Sequence, residues 1–473
     1  MSTPGTRSGL FPVPKRILVI GAGPTGLVAL RNLKERGQFE HVELYERRDD
    51  VGGVWYFEEH ESSNHHRKPR WPSPAYKGLI GNVLPEFLTF SEFPFPEPPT
   101  TPHQPFPTLT ETHKYLQKFA EPFIKSGSVK LNREVLRAVE LEEGMGWEVV
   151  SRNWSEGYDG KEEREIWDAV VVAVGWYDNP VWPETEGLEE LKKRGLARHA
   201  KVWRGPEGYE GKKTLVIGNA NSGNDMAAQL APVAELPVYQ SIRRTAFPGF
   251  VSLPDERIRM VAPVSKYIIK STAEGAKFDA LLSDGSLLTD LDTVQVGTGY
   301  RPFPNFIHVL AHHGGLRGNL PIIDENTIPN RVPTLHQLTM YAYNPSLAFI
   351  GAPMAYTPFT IADVVSTWLA LAWLGETPYP DTVDGRLVFE RERLAAIEKW
   401  RKETDNPSSL MVYNVLGYGE QEYARALKAD VVKARPQLEG VLPVWSDERT
   451  AVREAMHRTK FEALKYAKEH AGR

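Results

Sequence analysis

The sequence contains no cysteine, no long apolar run and no excess of positive charge. Without cysteine the chain cannot form a disulfide, a thiolate metal site, a cysteine nucleophile or a redox-active dithiol. No stretch approaches the roughly 20 apolar residues that a membrane span needs. The net charge of −5 gives no reason to expect a nucleic acid as partner. Residues 1–16 include no apolar core of signal-peptide length, so we expect a cytoplasmic protein that binds no membrane.

A glycine-rich loop near the N-terminus separates an apolar run from a helical pattern. Arg16–Ile20 predicts a buried strand, and Leu27–Glu35 predicts a helix. In a GxGxxG loop the three glycines allow a tight turn, the approach of a pyrophosphate and close packing of helix on strand. The helix N-terminus then faces the phosphates. We predict a dinucleotide site; the alternative is a glycine-rich turn that binds nothing. The predicted contacts are Gly21, Gly23, Pro24, Thr25 and Gly26.

The residues after the next predicted strand indicate which dinucleotide binds there. His41–Tyr45 ends at Glu46, whose carboxylate can accept hydrogen bonds from a ribose and repels a 2′-phosphate. A second glycine pair followed by an aromatic residue suits FAD, and its predicted contacts are Gly53, Val54 and Trp55. The segment ERRDDVGGVW also resembles the FAD-binding segment of class B flavin monooxygenases.

A second glycine loop, altered at one position, lies in GKKTLVIGNANSGNDMAAQL, residues 211–230. Ala220 replaces the middle glycine, and one methyl group narrows the approach of a pyrophosphate without abolishing it. The strand Val238–Ile242 ends in two arginines and a threonine instead of an acid, which suits a 2′-phosphate. We predict NADPH here; the alternative is a solvated basic turn. The predicted contacts are Gly218, Asn221, Ser222, Gly223, Arg243, Arg244 and Thr245.

The stretch YKGLIGNVLPEFLTFSEFPFP, residues 76–96, resembles the segment of flavin-containing monooxygenases in which an asparagine lies over the flavin. Asn82 falls at that asparagine, so the resemblance implies that it is the catalytic residue and also contacts the cofactor. An amide can donate a hydrogen bond without adding charge. The related Baeyer–Villiger enzymes usually have an aspartate in this role. The alternative for Asn82 is a turn asparagine after Gly81.

Two further segments resemble parts of the same family. PSLAFIGAP at 345–353 and the residues after it resemble the segment that returns to the FAD domain and lines the flavin ring, so Phe359 and Thr360 are predicted contacts, and Val135 is added to them. The family fingerprint of Phe, Gly, His and an aromatic residue is matched only in part. Lys193 replaces the phenylalanine, Trp203 is more typical of Baeyer–Villiger enzymes, and Arg204 follows it. Taken alone, His199 of this fingerprint indicates a structural histidine.

We therefore predict an α/β fold with two Rossmann-like dinucleotide-binding domains. The predicted FAD-binding domain comprises residues 1–205, the NADPH-binding domain 206–325, and the returning FAD-binding part with C-terminal helices 326–473. The resemblance extends from Arg16 to about Gly375. No metal site is predicted, because the clustered histidines His60, His65 and His66 in a polar loop are a weak signal.

The resemblance implies an NADPH-dependent FAD monooxygenase that oxygenates nitrogen or sulfur of a small molecule through a flavin hydroperoxide. Its partners would be molecular oxygen and that substrate, and a homodimer would fit the family. Three alternatives stay open: a Baeyer–Villiger enzyme acting on ketones, an NADPH oxidase that releases hydrogen peroxide, and a non-catalytic flavoprotein, which Ala220 would fit. A flavin-disulfide reductase is excluded because the sequence has no cysteine.

Overall fold

The computed structural model describes residues 12–58, 70–96, 103–244, 249–272, 275–310, 318–405 and 411–470. The histidines at 60, 65 and 66 lie outside these ranges. In chain order, the strands of the described residues are β1 (Arg16–Ile20), β2 (His41–Tyr45), β3 (Val129–Lys130), β4 (Arg133–Glu140), β5 (Trp147–Asn153), β6 (Lys161–Trp167), β7 (Ala169–Val172), β8 (Ala197–His199), β9 (Lys213–Ile217), β10 (Glu235–Ser241), β11 (Ile258–Val261), β12 (Val264–Thr272), β13 (Gly275–Leu282), β14 (Leu287–Leu291), β15 (Thr293–Val296), β16 (Ile307–Leu310), β17 (Asn319–Pro321), β18 (Leu335–His336), β19 (Met340–Tyr341) and β20 (Leu347–Phe349).

The helices of the described residues are α1 (Pro24–Glu35), α2 (Leu109–Lys125), α3 (Leu188–Lys193), α4 (Asn221–Leu230), α5 (Pro358–Trp373), α6 (Val383–Glu403), α7 (Glu420–Ala434) and α8 (Asp447–His470). Within the described ranges, none of these helices combines the length and apolarity that crossing a membrane would require.

The largest sheet has seven strands in the order β18-β19-β20-β7-β1-β2-β3. Its central strands run parallel and are buried on both faces, as all four residues of β7 show. Helices cover a parallel sheet in this way because both of its faces are apolar. The nearly all-buried helix α5 packs beside α1 against this sheet, so residues from the chain's second half complete the unit that begins at β1.

A second sheet of five parallel strands has the order β11-β10-β9-β15-β8. It repeats the local pattern of the first sheet, because β9 leads through a glycine loop into α4 and then into β10. The antiparallel strands β12-β13-β14 pack against this sheet, and a mixed sheet of order β17-β16-β4-β5-β6 packs against the seven-stranded sheet.

The predicted α/β fold with two strand–loop–helix–strand units is thus confirmed. Strands β1 and β2 have the predicted bounds. Helix α1 begins three residues earlier than predicted, at Pro24, because proline is well suited to the first helical position, where no intrahelical hydrogen bond is needed. Strand β10 covers 235–241 instead of 238–242.

Candidate active site

One large cavity lies between the seven-stranded sheet and the five-stranded parallel sheet and is bordered by both glycine loops. Its volume is about 2170 Å³, roughly twice the upper end of ordinary small-ligand pockets. Its wall includes β1–α1 loop residues, β9–α4 loop residues and the segment around Asn82. A cavity of this size has room for a ligand much larger than an ordinary small molecule.

The glycines of the first loop have two different roles: two are needed for the chain to fold, and one leaves space open beside the cavity. Gly21 has a φ of +103°, and a Cβ on Gly26 would lie 1.8 Å from the carbonyl oxygen of Gly21. These two glycines are therefore required by the chain's own packing. In contrast, a Cβ on Gly23 would meet nothing closer than the Cα of Gly53, at 3.7 Å. Gly23 thus leaves free space on the cavity wall, with Pro24 and Thr25 beside it.

Glu46 at the end of β2 is 7% exposed and borders the cavity. One carboxylate oxygen accepts a hydrogen bond from the Ala22 amide at 2.7 Å, and the other accepts one from the Arg48 amide at 3.0 Å. Each oxygen can accept a further hydrogen bond. Glu46 therefore holds the glycine loop in place and keeps acceptor capacity toward the cavity.

Arg48 is a cavity residue that the sequence prediction did not include. Its guanidinium donates to the carbonyl of Gly53 at 2.7 Å, while its buried Nε finds no hydrogen-bond partner among the described residues. A buried donor without a partner carries a free-energy cost, and a bound polar ligand would remove that cost. The donors and acceptors of this wall, together with the open space at Gly23, fit a dinucleotide such as FAD. The only signal in the sequence was the position of Arg48, two residues after the acid.

The second loop repeats the geometry of the first with one extra methyl group. Gly218 has a φ of +104°, and a Cβ on Gly223 would lie 2.3 Å from the Gly218 carbonyl oxygen. Ala220 is the N-cap of α4, as Gly23 is of α1, and both have extended backbone dihedrals. The methyl of Ala220 therefore causes no backbone strain, and it borders the cavity beside Asn221 and Ser222.

Two arginines follow β10 at the edge of this second loop. Arg243 and Arg244 are exposed and contribute to the cavity wall. The Asn219 side chain donates to the Arg244 carbonyl at 2.9 Å, which ties the glycine loop to the arginine pair. Thr245, the third residue predicted here, lies outside the described residues.

The segment with Asn82 contributes to the same cavity wall as the two glycine loops. Asn82 is exposed and borders the cavity, and the predicted residues Val54, Trp55 and Val135 are half-buried and border it too. Phe359 is buried, stacks on Phe90 with ring centroids 5.2 Å apart and reaches the wall.

Thr360 does not reach the cavity, although it was predicted to contact the cofactor beside Phe359. Its hydroxyl donates to the carbonyl of Thr357 at 3.0 Å. Successive helical residues point in different directions, so only one of the two can face the ligand. Gly26 and Gly223 also lie behind the wall, where they allow each helix to approach its strand.

The partial fingerprint has structural roles in this chain. Gly195 has a φ of +72° in the turn after α3. His199 is buried, its Nδ1 accepts a hydrogen bond from the Lys201 amide, and burial lowers its pKa to about 4. Trp203 packs against Tyr209 and donates from its indole nitrogen to Gln229 at 3.2 Å, away from the cavity. The tryptophan that favoured a Baeyer–Villiger enzyme therefore does not border the site.

Comparisons with known proteins agree with this architecture. A family model described as flavin-binding monooxygenase-like matches residues 14–247. The chain is 30% identical over 382 residues to the Arabidopsis thaliana protein named flavin-containing monooxygenase FMO GS-OX-like 2, covering 77% of this chain and 75% of that protein. It is 29% identical to FMO GS-OX-like 9 of the same plant, covering 77% of each.

Solved structures show the same fold at lower identity. The S-allyl-L-cysteine S-oxygenase of Allium sativum superposes with a TM-score of 0.67 and 24% identity, covering 94% of this chain and 98% of that one. An open crystal structure of cyclohexanone monooxygenase has a TM-score of 0.56 and 16% identity, covering 89% of this chain and 98% of that one. The chain belongs to the flavin-containing monooxygenase family, so it is an oxidoreductase with a flavin cofactor.

Proposed function

We propose that this protein is an NADPH-dependent FAD monooxygenase that adds one oxygen atom to the sulfur or nitrogen of a small molecule. The observation that carries the proposal is the single cavity bordered by both glycine loops and by Asn82. For a thioether, molecular oxygen, NADPH and one proton would give the sulfoxide, water and NADP⁺. One oxygen atom enters the product and the other leaves as water, with the two electrons supplied by NADPH.

In this proposal the first loop binds FAD and the second binds NADPH. The carboxylate of Glu46 suits a free ribose and disfavours a 2′-phosphate, whereas Arg243 and Arg244 provide two cations for that phosphate. The N-termini of α1 and α4 favour the pyrophosphates. Bound FAD would supply hydride acceptance and oxygen activation, and the chain's task is to bring the two dinucleotides together and keep water away from them.

Asn82 is the residue of this cavity that we assign to the reaction itself. Its amide can donate a hydrogen bond without placing a negative charge on the wall. The same cavity wall includes the apolar and aromatic side chains of Trp55, Leu88 and Phe359, and bound dinucleotides would exclude water from it. The amide would donate a hydrogen bond to the oxygen that is to be transferred, and it would hold that oxygen in place until the substrate has reacted.

We propose a thioether as the preferred substrate, ahead of an amine. A thioether sulfur is nucleophilic at any physiological pH, whereas an amine must first lose a proton. The shared fold of the Allium sativum S-allyl-L-cysteine S-oxygenase supports this choice. Trp203 no longer supports the ketone alternative, because its side chain is buried in the hydrophobic core around α4, β9 and β10.

The test is the fate of the NADPH electrons in Asn82→Ala and Asn82→Asp. Both variants should bind FAD and be reduced by NADPH at the parent rate, yet release hydrogen peroxide in place of sulfoxide. Asn326→Ala, an exposed change away from the cavity, is the matched control and should retain product formation. Unchanged yield of sulfoxide per NADPH in both Asn82 variants would refute the assigned role, and ketone oxygenation without sulfoxidation would favour the Baeyer–Villiger alternative.

A further inference from the structure

One face of the C-terminal helix α8 lies along the segment that includes Asn82. Arg449 donates to the Glu86 carbonyl at 3.2 Å, the Met456 sulfur accepts from the Leu84 amide at 3.4 Å, and Lys460 donates to the Gly81 carbonyl at 2.8 Å. The three helix residues are spaced by seven and four positions, so they share one face. Helix α8 therefore binds backbone groups along residues 81–86, in the opposite chain direction.

Lys460 is the buried charged residue among these three. It is 9% exposed, and its ammonium also reaches the carbonyl of Ile80 at 3.4 Å and lies 5.1 Å from the centre of the Phe106 ring. Burial lowers the pKa of Lys460 to about 8, and the charge of Asp225 on α4 opposes that decrease. A buried ammonium is stable only where it is hydrogen-bonded, so these two carbonyls are its anchor.

The amide and the carbonyl of Gly81 are both hydrogen-bonded, each to a different part of the chain. Its amide donates to the Pro107 carbonyl at 2.8 Å, and its carbonyl accepts from Lys460 at 2.8 Å. The Gly81 carbonyl belongs to the peptide group that also contains the backbone nitrogen of Asn82. Among the described residues, none donates to or accepts from the Asn82 side chain. The direction of that side chain therefore depends on how firmly its own backbone is held.

We propose that Lys460 is a positioning residue that fixes the Asn82 backbone and thereby aims the Asn82 amide into the cavity. The proposal rests on the role assigned to Asn82 under the proposed function. It gives α8, a helix about 380 residues farther along the chain, a defined part in the site. Lys460 also borders the cavity, but the role proposed here is exerted through Gly81, so we class it as a positioning residue.

The experiment compares Lys460→Met, which keeps the apolar stem and removes the donor, with Lys460→Arg, which restores a donor. Lys465→Met, on an exposed position of the same helix, is the matched control. The first measurement is hydrogen exchange of backbone amides in the full chain. Loss of a charged hydrogen bond should make amides of residues 81–88 exchange roughly tenfold faster in Lys460→Met, while α1 and α4 stay unchanged. If Lys460→Met does not fold, Lys460→Leu, which also lacks a donor, replaces it with the same expectation.

The second measurement is the share of NADPH electrons released as hydrogen peroxide. Lys460→Met should lose coupling to product while FAD content and the rate of reduction by NADPH stay at parent values, and Lys460→Arg should recover most of the coupling. A general structural defect would instead lower FAD content and the reduction rate. Parent-like exchange at 81–88, or faster exchange with full coupling, would overturn the proposal.

The Asn82 variants separate this proposal from the proposed function. If Asn82→Ala also keeps full coupling, the role of Asn82 in the reaction fails, and the lysine then has no catalytic group to aim. If Asn82→Ala loses coupling and Lys460→Met does not, the proposed function stands and the positioning role of Lys460 is overturned.

Discussion

Two glycines of the first loop, three residues apart, should respond in opposite ways to the same methyl group. A Cβ on Gly23 would lie 3.7 Å from its nearest neighbour, and Gly23 already has a φ of −71° that any residue adopts. Gly23→Ala should leave the free energy of unfolding of the flavin-free protein unchanged or raise it by about 0.4–1 kcal/mol. Because the methyl points to where we place the pyrophosphate, FAD affinity should fall. Losing one charged hydrogen bond of roughly 1.5–3 kcal/mol corresponds to about 10- to 100-fold.

Gly26→Ala should show the reverse pattern. Its Cβ would lie 1.8 Å from the Gly21 carbonyl oxygen, so helix α1 would have to move away from β1. Overpacking of this kind costs about 1–3 kcal/mol of unfolding free energy. Thermal unfolding of flavin-free protein and titration with FAD measure the two effects separately, with Gly440→Ala, where nothing lies within 4 Å, as control. Parent-like FAD affinity in a folded Gly23→Ala would refute the placement of the pyrophosphate at this loop.

Three further changes test separate parts of the account. Replacing both Arg243 and Arg244 by alanine should raise the KM for NADPH roughly 10- to 100-fold and leave the KM for NADH unchanged. Arg259→Ala is the control. An equal rise in both KM values would contradict a 2′-phosphate site. Since burial lowers the pKa of His199 to about 4, the unfolded state binds its proton first as pH falls below about 6.5. The free energy of unfolding, measured with urea, should therefore fall by about 2 kcal/mol between pH 7 and pH 5 because of this residue. His199→Gln should remove that decrease. Asp363→Ala should cost about 3–5 kcal/mol of unfolding free energy, because Arg31 and Arg36 lose a buried partner at 2.9 and 3.0 Å; a cost below 1 kcal/mol would contradict this.

The local parts of the site were predictable because each depends on a short stretch of chain. A strand, a glycine turn and a helix are specified by residues within about a turn of one another, so both loops and the acid at Glu46 were found from the sequence. The start of α1 at Pro24 was missed because the apolar pattern begins only at Leu27, whereas the helix begins where proline fits its first position.

The sequence could not predict which way a side chain points or which residues far apart in the chain come into contact. Phe359 and Thr360 are adjacent, and only the packing of α5 decides that the phenylalanine faces the cavity. The contact of Lys460 with Gly81 joins residues 379 positions apart, and no local pattern predicts it. Trp203 had the right spacing for a family fingerprint, yet its side chain packs inside the second unit and carries no information about the substrate.

The most direct test of the central claim is the balance of NADPH consumed against sulfoxide and hydrogen peroxide formed, measured on purified protein with a panel of thioethers, amines and ketones. The account predicts that NADPH reduces the bound flavin faster than NADH does, and that at least one thioether receives oxygen in near-equal amount to the NADPH consumed. Complete recovery of the electrons as hydrogen peroxide with every compound, or no reduction of the flavin by NADPH, would contradict it.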